Sequence, residues 1–138
     1  MKKIILLVED LADEQVKAKQ AVTDEGYRFV VASTLAEAKK VFGMVKIDGI
    51  VTDLHFPESE YDKNANNACG FAVIVVAIKN EIPVAVCSNV NHHFAEYVKD
   101  VIAFLETVSP FKKIPFVMDS KDWVRAIKEI KNLIEKEV

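Results

Sequence analysis

The fold is decided by Ile47-Asp48-Gly49-Ile50-Val51-Thr52-Asp53-Leu54-His55-Phe56-Pro57. Its branched apolar residues predict a buried strand over residues 48–53, because a strand covered on both faces has a continuous apolar run. The strand ends in an acid, and Pro57 prevents its continuation. Open α/β sheets place their chemistry beyond the carboxyl ends of their strands. Asp53 is therefore the first candidate functional residue, and the alternative is an ordinary turn residue.

Length and charge restrict the class of protein. The 138 residues are enough for one domain with a substantial core, and we expect a single domain over residues 1–138. The net charge of −3 provides no basic field for a nucleic-acid backbone. The apolar run after Met1-Lys2-Lys3 is too short for a signal peptide, and nothing approaches the length of a membrane span. Two separated cysteines suit a reducing compartment, so we expect a cytoplasmic protein with no direct nucleic-acid or membrane partner.

Strands and helices alternate on both sides of the opening stretch. Further strands are predicted over residues 3–8, 27–32, 82–87 and 114–118, and helices over 13–25, after a Ser33 or Thr34 cap, over 70–79, over 92–108 and after an Asp119 or Ser120 cap. This alternation implies right-handed crossovers and a parallel sheet with helices on both faces. The predicted fold class is α/β: a three-layer α/β/α sandwich whose doubly wound, five-stranded sheet has the flavodoxin-like order 2-1-3-4-5.

Apolar residues at helical spacing predict the inner faces of these helices. They are Val16, Ala21 and Val22; Leu35, Ala38 and Phe42; Phe94, Val98, Val101, Leu105 and Val108; and Trp123, Ile127, Ile130 and Ile134.

Acids and a hydroxyl follow the strands that the predicted sheet places side by side. Glu9 and Asp10 follow strand one, Asp53 ends strand three, and Ser88 follows strand four. Three carboxylates in one crevice repel one another, so either their pKa values rise or a divalent cation lies among them. Oxygen ligands with open positions suit Mg²⁺. Asp53 is then a plausible nucleophile for a phosphoryl group, with Ser88 as a hydrogen-bond donor to that group.

These motifs together resemble the receiver domains of two-component response regulators over nearly the whole chain. The matching stretches are Lys3-Ile-Ile-Leu-Leu-Val-Glu-Asp10, Glu25-Gly26-Tyr27, Ala36-Glu37-Ala38, Ile50-Val-Thr-Asp-Leu-His-Phe-Pro57 and Ile82-Pro-Val-Ala-Val-Cys-Ser88. The resemblance implies that Asp53 accepts the phosphoryl group and that Ser88 senses it. It also implies Mg²⁺ bound by Glu9, Asp10, Asp53 and the backbone carbonyl of His55.

The resemblance also implies how the protein works. A sensor histidine kinase or a phosphotransfer protein supplies the phosphoryl group, and the signal passes to a downstream protein. The protein is then a monomer or weak homodimer, and not an enzyme beyond slow self-dephosphorylation. In this family signals leave through the face of the fourth helix, fifth strand and fifth helix, where Tyr97, Phe104 and Phe111 are candidate exposed aromatic residues.

The chain departs from the family pattern in two places. Residues 58–69 form an inserted loop, and it is interpreted either as a lid over the acidic site or as a tolerated surface loop. The family's lysine at the end of strand five has no obvious counterpart. If the strand is 115–118, that position falls on Asp119, Phe116 takes the position of the family's aromatic switch, and Lys121 is the substitute. If the strand is 108–111, Lys113 is the counterpart; we prefer the first register.

Two other functions remain open. A pseudo-receiver has the same fold but acts only as a protein-binding module, and both departures favour it. A Mg²⁺-dependent phosphohydrolase commonly has a second acid two residues after its nucleophile, where this chain has His55. We therefore rank the hydrolase last.

Overall fold

The computed structural model describes residues 2–62, 67–89, 92–117 and 121–136. Five strands and five helices alternate along these ranges. In chain order they are β1 (Ile4–Val8), α1 (Ala12–Asp24), β2 (Arg28–Ala32), α2 (Leu35–Met44), β3 (Gly49–Thr52), α3 (Gly70–Lys79), β4 (Val84–Cys87), α4 (His92–Val108), β5 (Phe116–Val117) and α5 (Trp123–Glu135). No helix in the described part of the chain is both long enough and apolar enough to cross a membrane.

All strands run parallel in one sheet with the order β2-β1-β3-β4-β5, which confirms the predicted fold class and topology. The central strands β3 and β4 are buried at every residue, because helices cover both faces of the sheet. One face packs against α2, α3 and α4 through a core that includes Ala38, Ile74 and Val98. The other packs against α1 and α5 through Val22 and Ile130. The result is the expected three-layer sandwich.

The strands are shorter than their apolar runs. β3 ends at Thr52, so Asp53 is the first residue beyond it, and β5 contains only Phe116 and Val117. The alternative register with a strand over 108–111 is wrong, because α4 continues through Val108 and a turn follows. The preferred register, with the last strand before residue 118, is confirmed.

The helices agree with the predictions apart from details at their ends and faces. Thr34 caps α2, and its side chain accepts a hydrogen bond from the Glu37 N–H. The cap of α5 is Asp122, which accepts from the Arg125 N–H, and the proposed caps Asp119 and Ser120 lie outside the described residues. An acid or hydroxyl residue just before a helix can accept a hydrogen bond from the first free N–H groups. Several such residues precede α5, so the sequence did not determine which of them is the cap.

The prediction of a core position is wrong for two residues. Val16 is 64% exposed and Val108 is 54% exposed. Val16 lies two residues before the buried Ala18, which places its side chain about 200° around the helix from the core. Val108 is the last residue of α4, and a turn follows it.

Candidate functional site at the carboxyl edge of the sheet

The carboxyl ends of β1, β3 and β4 meet at one edge, and the main chain fixes the first residue beyond each. The Asp53 N–H donates to the Val8 carbonyl at 2.8 Å, and the Ser88 N–H donates to the Val117 carbonyl at 2.9 Å. Glu9 continues β1 in the same way, with its N–H donating to the carbonyl at the end of β2. These residues therefore extend the hydrogen-bond ladder of the sheet, which gives their side chains a rigid base.

The structure brings the three predicted acids together. One carboxylate oxygen from each of Glu9, Asp10 and Asp53 lies within 4.8 Å of the others. Glu9 is 0% exposed and Asp53 is 4% exposed, whereas Asp10 is half-buried. Burying carboxylates next to each other is costly unless cations or hydrogen bonds compensate. We call Glu9, Asp10 and Asp53 the acidic cluster.

Lys121 supplies that compensation. Its Nζ lies 2.9 Å and 3.1 Å from the two carboxylate oxygens of Glu9, and 3.0 Å from Oδ2 of Asp53. Lys113, the other candidate, pairs at 3.5 Å with the exposed carboxylate of Glu129. Of the two lysines left open by the sequence, Lys121 is the one that reaches the acidic cluster.

The main chain orients the carboxylates further. The Leu54 N–H donates to Oδ1 of Asp53 at 2.7 Å, so Oδ2 is the oxygen that faces Lys121. The Leu11 N–H donates to Oε1 of Glu9 at 3.1 Å. Each buried carboxylate thus has a fixed hydrogen-bond donor as well as the ammonium group, and a carboxylate held in this way cannot rotate freely.

Burial dominates the electrostatics of the acidic cluster. Burial and the neighbouring Asp53 raise the pKa of Glu9 to about 8, against the lowering effect of Lys121. Burial also raises the pKa of Asp10, with a further contribution from Asp53. Burial lowers the pKa of Lys121, but Asp53 and Glu9 outweigh it, so the net shift is upward. The acids compete for too little positive charge, which is the situation in which an additional cation is favoured.

Asp53 is the residue of the acidic cluster that lines a cleft of about 530 Å³. Its lining residues are Leu11, Glu14, Lys17, Asp53, His55, Ser88, Asn89 and Lys121. The predicted Ser88 and His55 therefore lie in the same cleft as Asp53. Glu14, Lys17 and Asn89 were missed by the sequence analysis, because nothing in their local sequence distinguishes them from other surface residues of a helix or loop.

The described part of the insert, residues 58–62 and 67–69, does not line this cleft. Instead it packs at the start of α2, whose first two N–H groups donate to the carbonyls of Pro57 at 3.1 Å and Glu58 at 2.8 Å. Ser59, Glu60 and Tyr61 border a separate cavity of about 290 Å³ with α2. The lid interpretation receives no support from these residues.

Gly70 connects the end of the insert to the acidic site. Its N–H donates to the Leu54 carbonyl at 2.9 Å. A Cβ at residue 70 would lie 2.5 Å from the Asp53 carbonyl oxygen and 2.7 Å from the Leu54 Cα. Only glycine permits α3 to begin this close to the peptide group that follows Asp53.

The donor set fits a hard divalent cation. Carboxylate oxygens within 4.8 Å of one another can share one ion, and the half-buried Asp10 leaves a solvent-facing side for water ligands. Lys121 contacts two of the same carboxylates, so a divalent cation at Glu9 and Asp53 would have to share or replace its contacts.

Comparisons with known proteins identify the fold. The sequence matches no protein-family model and no curated protein. A response regulator receiver protein from Sinorhizobium medicae has a TM-score of 0.73 and 21% identity, over 99% of this chain and 98% of that chain. The receiver domain of a Francisella response regulator has a TM-score of 0.72 and 18% identity, over 99% of this chain and 100% of that chain.

A third similar structure was solved with ligands. The response regulator TrrA from Thermotoga maritima, in complex with Mg²⁺ and BeF, has a TM-score of 0.67 and 19% identity, over 95% of this chain and 98% of that chain. The present chain thus has the fold of response regulator receiver domains, as the sequence resemblance implied.

Proposed function

We propose that the protein is a two-component receiver domain that accepts a phosphoryl group on Asp53 and signals to a partner protein. The observation that carries this proposal is the position of Asp53 Oδ2. Asp53 lines a cleft beside the buried Glu9, and its Oδ2 lies 3.0 Å from the Lys121 Nζ. A nucleophilic carboxylate needs both exposure to its donor and a fixed cation to stabilise the incoming anion.

Several residues in and around the cleft have a role in this proposal. The Leu54 N–H holds Oδ1 of Asp53 and leaves Oδ2 for attack on phosphorus. Lys121 pairs with the transferred phosphoryl oxygens, and the Ser88 hydroxyl donates to one of them. Glu9, Asp10, Asp53 and the backbone carbonyl of His55 would hold Mg²⁺. When bound there, the ion would supply positive charge between these carboxylates and the phosphoryl group.

The similarity in fold to receiver domains supports the proposed partners. A sensor histidine kinase or a phosphotransfer protein donates the phosphoryl group. The domain itself catalyses nothing beyond the slow loss of that group. On the face of α4, β5 and α5, Phe104 is 65% exposed and Tyr97 is 46% exposed, whereas Phe111 is half-buried. The first two remain candidates for contact with a downstream protein or a second copy of the chain.

A pseudo-receiver is the second candidate, and one observation favours it. Lys121 already contacts both Glu9 and Asp53, so the acidic cluster is partly neutralised by the chain itself. A protein that only binds a partner needs no more than this. The phosphohydrolase remains last, since His55 stands two residues after Asp53 where a second acid is expected.

Intact mass decides between the two leading functions. The protein is incubated with acetyl phosphate and Mg²⁺, next to Asp53→Asn and, as a matched control at the opposite edge of the sheet, Asp48→Asn. We expect one added phosphoryl group on the wild type and on Asp48→Asn, and none on Asp53→Asn. If the wild type gains no mass and a Mg²⁺ titration shows no binding, the pseudo-receiver is correct.

A further inference from the structure

Trp123 and Glu14 form a partly buried hydrogen bond between α5 and α1. The indole N–H of Trp123 donates to Oε1 of Glu14 at 2.9 Å. Trp123 is 2% exposed and belongs to the core beneath α1 and α5, while Glu14 lines the cleft beside Asp53. The two residues are 109 positions apart in the chain. One end of this hydrogen bond is therefore anchored in the core, and the other lies at the candidate site.

Trp123 also holds the main chain of Lys121 in place. Trp123 is the first residue of α5, and its N–H donates to the Lys121 carbonyl at 3.1 Å. Asp122, between them, caps the helix through the Arg125 N–H at 3.1 Å. The main chain of Lys121 is thus tied directly to the first turn of α5. A lysine side chain has four rotatable carbons, so its ammonium group reaches two carboxylates at once only when its backbone is fixed.

We propose that Glu14 is a positioning residue, whose hydrogen bond to Trp123 fixes the first turn of α5 and thereby holds Lys121 between Glu9 and Asp53. Its consequence for phosphoryl transfer rests on the proposed function. The placement of Lys121 does not, because that ion-pair geometry exists whether or not Asp53 is phosphorylated.

The charge of Glu14 supports this role. Burial raises the pKa of the Glu14 carboxyl, but the hydrogen bonds from Trp123 and Lys17 outweigh burial and lower it overall. The group is therefore ionised at neutral pH, and a hydrogen bond from an indole to a carboxylate is stronger than one to a neutral acceptor. The neighbouring acid Asp13 occupies the same first turn of α1 but is exposed, which makes it a matched control.

Chemical labelling tests the placement of Lys121 directly. The folded protein is treated briefly with a limiting amount of acetic anhydride, and acetylation of Lys121 is measured by peptide mass spectrometry relative to Lys113. The side chain of Lys121 is 13% exposed and ion-paired, whereas that of Lys113 is 60% exposed. The variants are Glu14→Ala, Glu14→Gln, Asp13→Ala and Trp123→Phe.

We expect Glu14→Ala and Trp123→Phe to increase the relative labelling of Lys121 about fivefold, as loss of one hydrogen bond would. Glu14→Gln, whose amide oxygen still accepts from the indole, should stay close to wild type, as should Asp13→Ala. Trp123 is the single tryptophan, so its emission reports the same bond, with the spectrum shifted in Glu14→Ala and restored in Glu14→Gln. Unchanged Lys121 labelling in both Glu14→Ala and Trp123→Phe would overturn the inference. Trp123→Phe keeps an aromatic ring in the core if Glu14→Ala does not fold.

A second readout separates this inference from the proposed function. With acetyl phosphate and Mg²⁺, Glu14→Ala should be phosphorylated about fivefold more slowly than wild type, with Glu14→Gln near the wild-type rate. If the wild type is never phosphorylated, the proposed function fails, and the labelling result alone decides whether Glu14 positions Lys121. If the wild type is phosphorylated and Glu14→Ala reacts at the same rate, the positioning role is wrong.

Discussion

The two edges of the sheet carry cavities of nearly equal size but different chemistry. The cleft at the carboxyl edge measures about 530 Å³, and the cavity at the amino edge about 520 Å³. Both are lined by charged residues. At the amino edge, the half-buried Asp48 accepts a hydrogen bond at 2.8 Å from the N–H of Ile4, the first residue of β1. At the carboxyl edge, Glu9 and Asp53 are buried side by side around one ammonium group.

This difference shows that cavity volume alone does not distinguish the two edges of the sheet. A carboxylate that only accepts a hydrogen bond from the first N–H of a strand can stay partly in water, where its charge costs little free energy. Two carboxylates buried together raise the free energy of the folded state, and folding alone gives no reason to keep them. Acids buried next to each other therefore make the carboxyl edge the candidate functional edge.

Replacing one glycine at each edge of the sheet with alanine gives the largest expected effect on stability. Gly70→Ala should destabilise the protein by about 3 kcal/mol, because its Cβ would meet the backbone of Asp53 and Leu54. At the amino edge, Gly49→Ala should cost only about 1 kcal/mol, since the nearest atom is the movable Cδ1 of Ile134 at 2.8 Å. Urea unfolding measures both. Equal losses in the two variants would contradict the difference between backbone and side-chain contacts.

Removal of a lysine gives the next largest effect. Lys121→Met should reduce the free energy of unfolding by about 2 kcal/mol at neutral pH, because Glu9 and Asp53 lose their shared cation while buried. Lys113→Met, which breaks an exposed pair with Glu129, should change it by no more than about 0.5 kcal/mol. Thermal or urea unfolding in the presence of a chelator compares them. A Lys121→Met variant as stable as Lys113→Met would show that the acidic cluster needs no internal cation.

The pH dependence of stability tests the burial of Glu9 itself. The pKa of Glu9 is raised from 4.5 to about 8, chiefly by burial and then by Asp53, so the folded state binds more protons than the unfolded state between these values. The free energy of unfolding should therefore fall as pH rises through this window, by at least about 1 kcal/mol in the presence of a chelator. Glu9→Gln should flatten the profile, whereas Asp48→Asn should not. A profile unaltered by Glu9→Gln would place the titration elsewhere.

Most of the fold could be predicted because its signals are local. The run over Gly70–Lys79 is apolar on every side, yet its length and its place between two strands identified it as α3 with the observed bounds. The acidic cluster could also be predicted, since strand ends alone bring Glu9, Asp10 and Asp53 to one edge. The short β5 could not, because main-chain pairing with β4 decides where a strand ends, and apolar character does not.

The sequence named Lys121 as one of two candidate cations, but it could not decide between Lys121 and Lys113 or reveal what supports Lys121. Lys121 precedes α5 and reaches the acidic cluster across the top of the sheet, so its proximity to Asp53 depends on the tertiary arrangement. The bond between Glu14 and Trp123 has no sequence signal at all, because the aromatic residue on an inner helix face is explained by core packing alone. Hydrophobic periodicity predicts helices and strands, but it does not predict charge pairs between elements that are distant in the chain.

The root of the insert has a consequence for how this fold can change. Phe56 and Ala68 form a bridge, with the Phe56 N–H donating to the Asn67 carbonyl at 3.1 Å, so the chain leaves and re-enters the domain at one place. The entropy lost in closing a loop grows only with the logarithm of its length, about 0.6 kcal/mol for each doubling. Chain length between these two residues is therefore nearly neutral for stability. New sequence can accumulate there, a few residues from Asp53, without disturbing the architecture that holds it.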